Sequence, residues 1–94
     1  MKIVWTRIAI NDLDHVWGYI ASDKPEAAVG VIEKIAKAVE ALPAYPNLGR
    51  DGRVKGTKEL VVVGTPFIVA YRIKNNRIEI VAVIHAARRW PGSL

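Results

Sequence analysis

The first half of the chain carries apolar residues at helical spacing. A short apolar stretch over residues 2–5 predicts a first strand, and the amphipathic segment that follows it predicts a helix. The apolar positions of this helix are Ile8, Leu13, Val16, Trp17 and Ile20. The polar residues Asn11, Asp12 and Asp14 are expected on its opposite face. Trp5, Trp17 and Tyr19 occupy positions compatible with packing in a core.

A second amphipathic helix is predicted from Pro25 to about Leu42. Proline is favoured at the start of a helix, and Glu26 in the first turn interacts favourably with the helix dipole. Pro43 and Pro46 then end the helix. The apolar stripe expected to face the core consists of Ala28, Val31, Ile32, Ile35, Val39 and Leu42.

The second half has the composition of β-structure. A glycine-rich basic loop over residues 47–58 precedes three segments rich in β-branched and aromatic residues, at 59–63, 67–73 and 77–85. Asn75 and Asn76 tolerate positive φ and predict a tight hairpin between the last two strands. The predicted fold is α+β in the order β-α-α-β-β-β, with an N-terminal helical hairpin packed on a curved antiparallel sheet. Residues 1–94 are expected to form a single domain.

Composition excludes several classes of protein. The 94 residues include no cysteine and two histidines, so disulfides and thiolate metal sites are excluded and a dedicated metal site is not expected. We expect no cofactor. The apolar runs are too short for a signal peptide or a membrane span, which fits a cytoplasmic protein without membrane contact.

Charge is concentrated in the second half of the chain. Residues 1–49 hold five basic and six acidic side chains, whereas residues 50–94 hold nine basic and three acidic ones, a net of +6. This asymmetry favours an anionic partner, either nucleic acid or an acidic protein segment, although a solvated basic surface would have the same composition.

Two clusters of side chains are candidates for function. The first lies on the glycine-rich loop, where mobile cations suit phosphate or carboxylate contacts, and consists of Arg50, Arg53, Lys55 and Lys58. The second follows the last strand and consists of His85, Arg88, Arg89 and Trp90. His85 with the arginines could supply part of the acid, base and cation set of a ribonuclease. A histidine at a strand end can equally be a structural residue.

Several segments, taken in order, resemble the RelE/ParE superfamily of toxins from bacterial type II toxin–antitoxin modules. They are "DL..VWGYI", "GR.G...GTKEL", "PFIVAYRI" and "IVAVIHAARRWP". Four segments are most similar to the ParE-type branch: Gly49–Arg50, Gly56–Leu60, Pro66–Phe67 and His85–Arg88. The resemblance implies a growth-inhibiting toxin that a cognate antitoxin neutralises in a hetero-oligomeric complex. Two targets are known in the superfamily: DNA gyrase for ParE-like members, and messenger RNA on the ribosome for RelE-like members.

The strand residues favour the gyrase-binding branch. RelE-like nucleases place basic residues on their middle strands, but here those strands carry valines, and no cation occurs between Lys58 and Arg72. The cations and aromatic side chain expected to bind the target or the antitoxin are Arg50, Arg53, Lys55, Lys58, Arg72, His85, Arg88, Arg89 and Trp90. If the protein is a ribonuclease instead, its catalytic candidates are His85, Arg88 and Arg89. Two further alternatives remain. One is a toxin that no longer acts on its target but still binds the antitoxin, and the other is a general nucleic-acid-binding domain.

Valines on the second and third predicted strands have two possible uses. Alternation turns about half of them toward the helices and leaves the others for a partner. An antitoxin segment could pack on these exposed valines, with its acidic residues attracted by the basic cluster.

Overall fold

The computed structural model describes residues 1–87. Their elements are β1 (Lys2–Trp5), α1 (Arg7–Ala21), α2 (Pro25–Glu40), β2 (Arg50–Asp51), β3 (Lys58–Val61), β4 (Phe67–Lys74) and β5 (Arg77–His85). The predicted order is confirmed, with the two-residue strand β2 added inside the segment predicted as a loop.

The five strands form one sheet in the order β1-β5-β4-β3-β2. β3, β4 and β5 make the predicted antiparallel meander. The sheet as a whole is mixed rather than antiparallel, because β1 pairs in parallel with β5. The helical hairpin carries the chain from β1 at one edge to β2 at the other, and a crossover of this kind permits parallel pairing.

The two helices begin as their sequences predict. Thr6 caps α1, since its Oγ1 accepts a hydrogen bond from the Ala9 N–H at 3.2 Å and donates to the Ile80 carbonyl at 2.8 Å. Pro25 and Glu26 occupy the first turn of α2. The stripe predicted for α2 is confirmed, because its members are buried in the main core or packed against it.

The stripe predicted for α1 is partly wrong. The residues that face the sheet are Ala9, Leu13, Val16 and Ile20. Ile8 and Trp17 lie beside this narrow stripe and are 61% and 43% exposed, and Tyr19 is 73% exposed. The small side chain of Ala9 allows the helix to lie close to the sheet, so the larger residues at its flanks stay outside. Of the aromatic residues expected in the core, Trp5 packs against it.

The sheet has two faces that differ in their contacts. On the helix face, which α1 and α2 cover, lie Phe67, Val69, Tyr71, Ile78, Ile80 and Val83. The opposite side, here called the outer face, holds a smaller cluster with Ala70 and Ala82. Because Ala70 pairs with Ala82 while Tyr71 pairs with Ile80, Val81 is an additional residue in β5. This bulge keeps Ile80 and Val83 on the same face.

Two turns fix the positions of the surfaces described below. Asn75 and Asn76 have φ values of 52° and 58° and close the β4–β5 hairpin as predicted. The buried Tyr71 hydroxyl donates to the Pro46 carbonyl at 2.7 Å and accepts from the Gly49 N–H at 2.9 Å. A Cβ at Gly49 would lie 2.8 Å from the Tyr71 ring, so this approach requires glycine.

Candidate binding surfaces

The basic loop is organised around one buried carboxylate. Glu59 lies on β3 beside Arg50 of β2, and its side chain is almost fully buried. Its Oε1 accepts from Arg50 Nη2 at 3.1 Å, and its Oε2 accepts from the Arg53 N–H at 2.8 Å. The Arg53 guanidinium is also close, with Nε 3.8 Å from Oε2. Two of the predicted docking cations therefore hold the loop on the sheet.

The remaining loop cations differ in their partners. Lys58 Nζ is 3.2 Å from Asp51 Oδ1, in an ion pair between β3 and β2. Lys55 is exposed and forms no ion pair with any of residues 1–87. The loop thus presents less uncompensated charge than its sequence indicates, because three of its four cations face a carboxylate within the same fold.

Arg72 is also engaged within the sheet. Its Nε donates to Glu79 Oε1 at 2.6 Å across the β4–β5 pair on the outer face. This hydrogen bond, together with the charges of Arg72, Lys74 and Arg77, lowers the pKa of Glu79. Arg72 was predicted to bind the target or the antitoxin, but its guanidinium already forms an ion pair with Glu79.

His85 lies on the helix face, at the end of β5. Its ring meets the Phe67 ring edge-on, with centroids 5.4 Å apart. It lines a pocket of about 160 Å³ together with Asp12, His15, Val16, Tyr19, Phe67 and Val83. The Ala87 N–H donates to His85 Nδ1 at 3.1 Å.

Asp12 was predicted to face away from the core, and this prediction is wrong. Its Oδ2 accepts a hydrogen bond from the Val83 N–H at 2.9 Å. β1 ends at Trp5, opposite Ile80, so β5 has no strand neighbour on that side at Val83. The carboxylate of Asp12 takes the place of the missing strand. Burial raises the pKa of Asp12, and the hydrogen bond from Val83 and the charge of His15 partly offset that effect.

Within residues 1–87, the structure does not bring His85 together with the other candidate cations. His85 faces α1, whereas Arg72 and the Arg50–Glu59 pair lie on the outer face. The other outer-face positions of β3 and β4 include Val61, Ile68 and Ala70, which cannot transfer a proton or neutralise a phosphate. The remaining candidates lie outside the described residues: Arg88 and Arg89 for catalysis or binding, and Trp90 for binding.

Sequence reasoning indicated only part of an apolar groove between α2 and β3. The groove has a volume of about 320 Å³, and its lining includes Lys34, Lys37, Leu48, Leu60, Val61 and Val63. Val61 is 49% and Val63 87% exposed. Because β2 pairs only with Lys58 and Glu59, the edge of β3 beyond them has no strand neighbour among the described residues. The exposed valines indicated this surface, but its helical wall came from the structure.

Neither a metal site nor a membrane span is found in the part of the chain that the structure describes. No group of three histidine, cysteine or acidic side chains there is arranged to hold a metal ion. Neither α1 nor α2 has the length and apolar composition needed to cross a bilayer.

Comparison with known proteins identifies the class. The family model described as "ParE toxin of type II toxin-antitoxin system, parDE" matches residues 3–90. Y4kP of Sinorhizobium fredii, which is named as a toxin, is 46% identical over 90 residues, covering 96% of this chain and 93% of that protein. Toxin RelE2 of Caulobacter vibrioides is 34% identical over 87 residues, covering 93% and 97%.

Solved structures agree with these matches. A chain from the chromosomal ParDE system of P. aeruginosa has a TM-score of 0.82 and 31% identity, with 90% of this chain and 95% of that chain covered. A chain from the YoeB-YefM complex of Staphylococcus aureus shares the fold alone, with a TM-score of 0.57, 13% identity and 88% and 93% coverage. The fold and the sequence together define a type II toxin of the RelE/ParE superfamily. Within that class, the chain belongs to the ParE toxin family.

Proposed function

We propose that this toxin arrests growth by binding DNA gyrase and that a cognate antitoxin neutralises it. The observation that carries the proposal is the separation of His85 from the outer-face cations by the thickness of the sheet. A toxin that acts by binding does not need a convergent acid, base and cation set, whereas a ribonuclease does. The match to the ParE family model supports the same choice. The site of action would be the cytoplasm, where the target acts.

The antitoxin is proposed to occupy the groove between α2 and β3. The apolar floor and the free edge of β3 suit an amphipathic segment, which would pack its apolar side chains on Val61 and Val63. Lys34 and Lys37 stand at the groove on the α2 side. These two lysines favour an acidic segment over a basic one. This assignment keeps the exposed valines as the anchor and moves the attraction of acidic residues from the basic loop, whose cations are largely paired, to Lys34 and Lys37.

A ribosome-dependent messenger RNA endonuclease is the second candidate. The relative named Toxin RelE2 and the position of His85 at the end of β5 favour it. In this alternative His85 would act as an acid or a base on the RNA, so its imidazole would be required for cleavage.

Controlled expression in a bacterial host without antitoxin separates these functions. The unmodified toxin is expected to stop growth and to produce gyrase-linked DNA breaks while messages stay intact. The same outcome is expected for His85→Ala, because a binding toxin does not use this imidazole for chemistry. His15→Ala, which alters the other histidine of the same pocket, is the matched control.

Three results would contradict the proposal. Cleaved messages without DNA breaks, together with loss of toxicity in folded His85→Ala and not in His15→Ala, would establish the nuclease. Normal growth despite soluble, folded protein would indicate a toxin that has lost its target. Growth arrest with neither type of damage would require a different target.

A further inference from the structure

Three cations lie side by side on the outer face at the hairpin end of the sheet. Lys2 of β1 pairs in register with Arg77 of β5, and Arg77 pairs with Lys74 of β4. Side chains at paired positions project from the same face of a sheet. Lys2, Arg77 and Lys74, here called the cation row, therefore cross three neighbouring strands in one line.

The cation row is less compensated than the basic loop. The next outer-face positions toward the centre of the sheet are Val4, Glu79 and Arg72, and the Glu79 carboxylate is already bonded to Arg72 at 2.6 Å. The hydrogen bond from Arg72 is the main cause of the lowered pKa of Glu79, and the charges of Arg72, Lys74 and Arg77 lower it further. With Arg72 included, the region holds four cations and one carboxylate, whereas the four cations of the basic loop have two carboxylates as partners, Asp51 in the loop and Glu59 on β3.

The Arg77 side chain has a hydrogen-bond donor that is not used within residues 1–87. Its Nε is shielded from solvent and has no hydrogen-bond partner among residues 1–87. Like charges in neighbouring positions are unfavourable, and a shielded donor without an acceptor adds a further cost. An anion drawn to the row would offset the repulsion, and a small outward movement of the Arg77 guanidinium would satisfy its free donor.

From this arrangement we propose that the cation row binds the phosphodiester backbone of nucleic acid without sequence preference. Strands in a sheet are about 4.8 Å apart, so the row is about 10 Å long. Duplex DNA carries one negative charge about every 1.7 Å of its helix axis when both strands are counted, so the density of phosphate charge opposite the row is high.

An acidic protein segment fits the row less well. Side chains on one face of an extended peptide recur about every 6.7 Å, so about two carboxylates would lie over the same length. Protein partners also need buried apolar anchors, and the outer-face position next to the row on β1 offers only the partly buried Val4. The site is independent of the choice between gyrase and messenger RNA as the target.

Fluorescence anisotropy with the purified full chain tests the proposal. The probes are a labelled 20-base-pair duplex of DNA and a single-stranded RNA, each titrated at several salt concentrations. The unmodified protein is expected to bind the duplex in low salt with a log–log salt slope of about −3. Lys74→Gln and Lys2→Gln are each expected to reduce the size of the slope by about 0.9 and to weaken binding roughly 5–10-fold near 0.1 M salt. Lys74→Arg should keep the slope.

Lys24→Gln is the matched control, since Lys24 is an exposed lysine at the start of α2 and is not part of the sheet. It should leave the slope unchanged. Binding of both nucleic acids with equal sensitivity to Lys74→Gln supports recognition of the shared backbone. Absence of binding at 50 mM salt, an equal loss in Lys24→Gln, or stronger binding of polyglutamate than of either nucleic acid to the same row would overturn the proposal.

Discussion

Single polar side chains complete hydrogen bonds that the sheet leaves open. Asp12 accepts from Val83 where β1 has ended, and Thr6 connects the start of α1 to the Ile80 carbonyl. Tyr71 ties the segment before β2 to the core. Each of these side chains pairs with a backbone donor or acceptor that would otherwise lose its hydrogen bond to water on folding and gain none in return. These bonds position the segments that carry the candidate binding surfaces.

Asp12 provides a test at this scale. Asp12→Ala removes the acceptor of the Val83 N–H and should lower the free energy of unfolding by about 1–3 kcal/mol. Asp12→Asn keeps an oxygen acceptor and should be at least as stable as the unmodified protein at neutral pH. Chemical denaturation of the three proteins measures both effects.

The pH dependence follows from the raised pKa of Asp12. In the window between the unfolded and folded pKa values, the folded state binds more protons, so the contribution of Asp12 to stability falls as pH rises. The advantage of Asp12→Asn should therefore be present at neutral pH and should shrink as the pH falls through that window. Equal stability of Asp12→Ala and Asp12→Asn would contradict the assigned hydrogen bond.

The elements themselves were predictable because their periods are clear. The apolar stripe of α2, the asparagine turn and the span of β5 are all confirmed. The orientation of α1 was predicted less well, because Trp17 and Ile8 have the hydrophobicity of core residues but flank the stripe that Ala9 brings close to the sheet. The parallel pairing of β1 with β5 depends on the edge of the sheet to which the helical hairpin brings the chain. No local sequence pattern encodes that position.

At the scale of elements, the edge of β3 is the part of the fold assigned to the antitoxin. Val61→Asp and Val63→Asp place a charge in the groove at positions that are exposed in the free toxin. Each is expected to weaken binding of the cognate antitoxin by at least about 30-fold, the size of an interface hot spot, with little effect on folding. Isothermal titration with the purified antitoxin measures the affinity.

Val29→Asp is the control for the groove, because Val29 is an exposed valine of α2 that does not line it. In cells, the antitoxin should still neutralise Val29→Asp but should fail against Val63→Asp. Unchanged affinity of both groove variants would place the antitoxin on another surface.

For the molecule as a whole, composition predicted a net positive charge but not which cations are paired within the fold. Arg50, Arg53 and Lys58 were expected to be free for docking, and each faces a carboxylate instead. Lys2 and Lys74 were not singled out, because they are 72 positions apart in the chain and become neighbours only through the β1–β5–β4 pairing. Ion pairs and cross-strand neighbours depend on tertiary register, so they could not be predicted from composition or periodicity.

The central claim is that the whole molecule acts by binding gyrase and not by cutting RNA. The most direct measurement adds the purified toxin to purified gyrase, plasmid DNA and ATP and quantifies cleaved plasmid after the enzyme is denatured. We expect cleaved DNA to accumulate with the toxin and not with the toxin–antitoxin complex. Unimpaired supercoiling without cleaved plasmid, while the same preparation cuts messenger RNA on programmed ribosomes, would contradict the account.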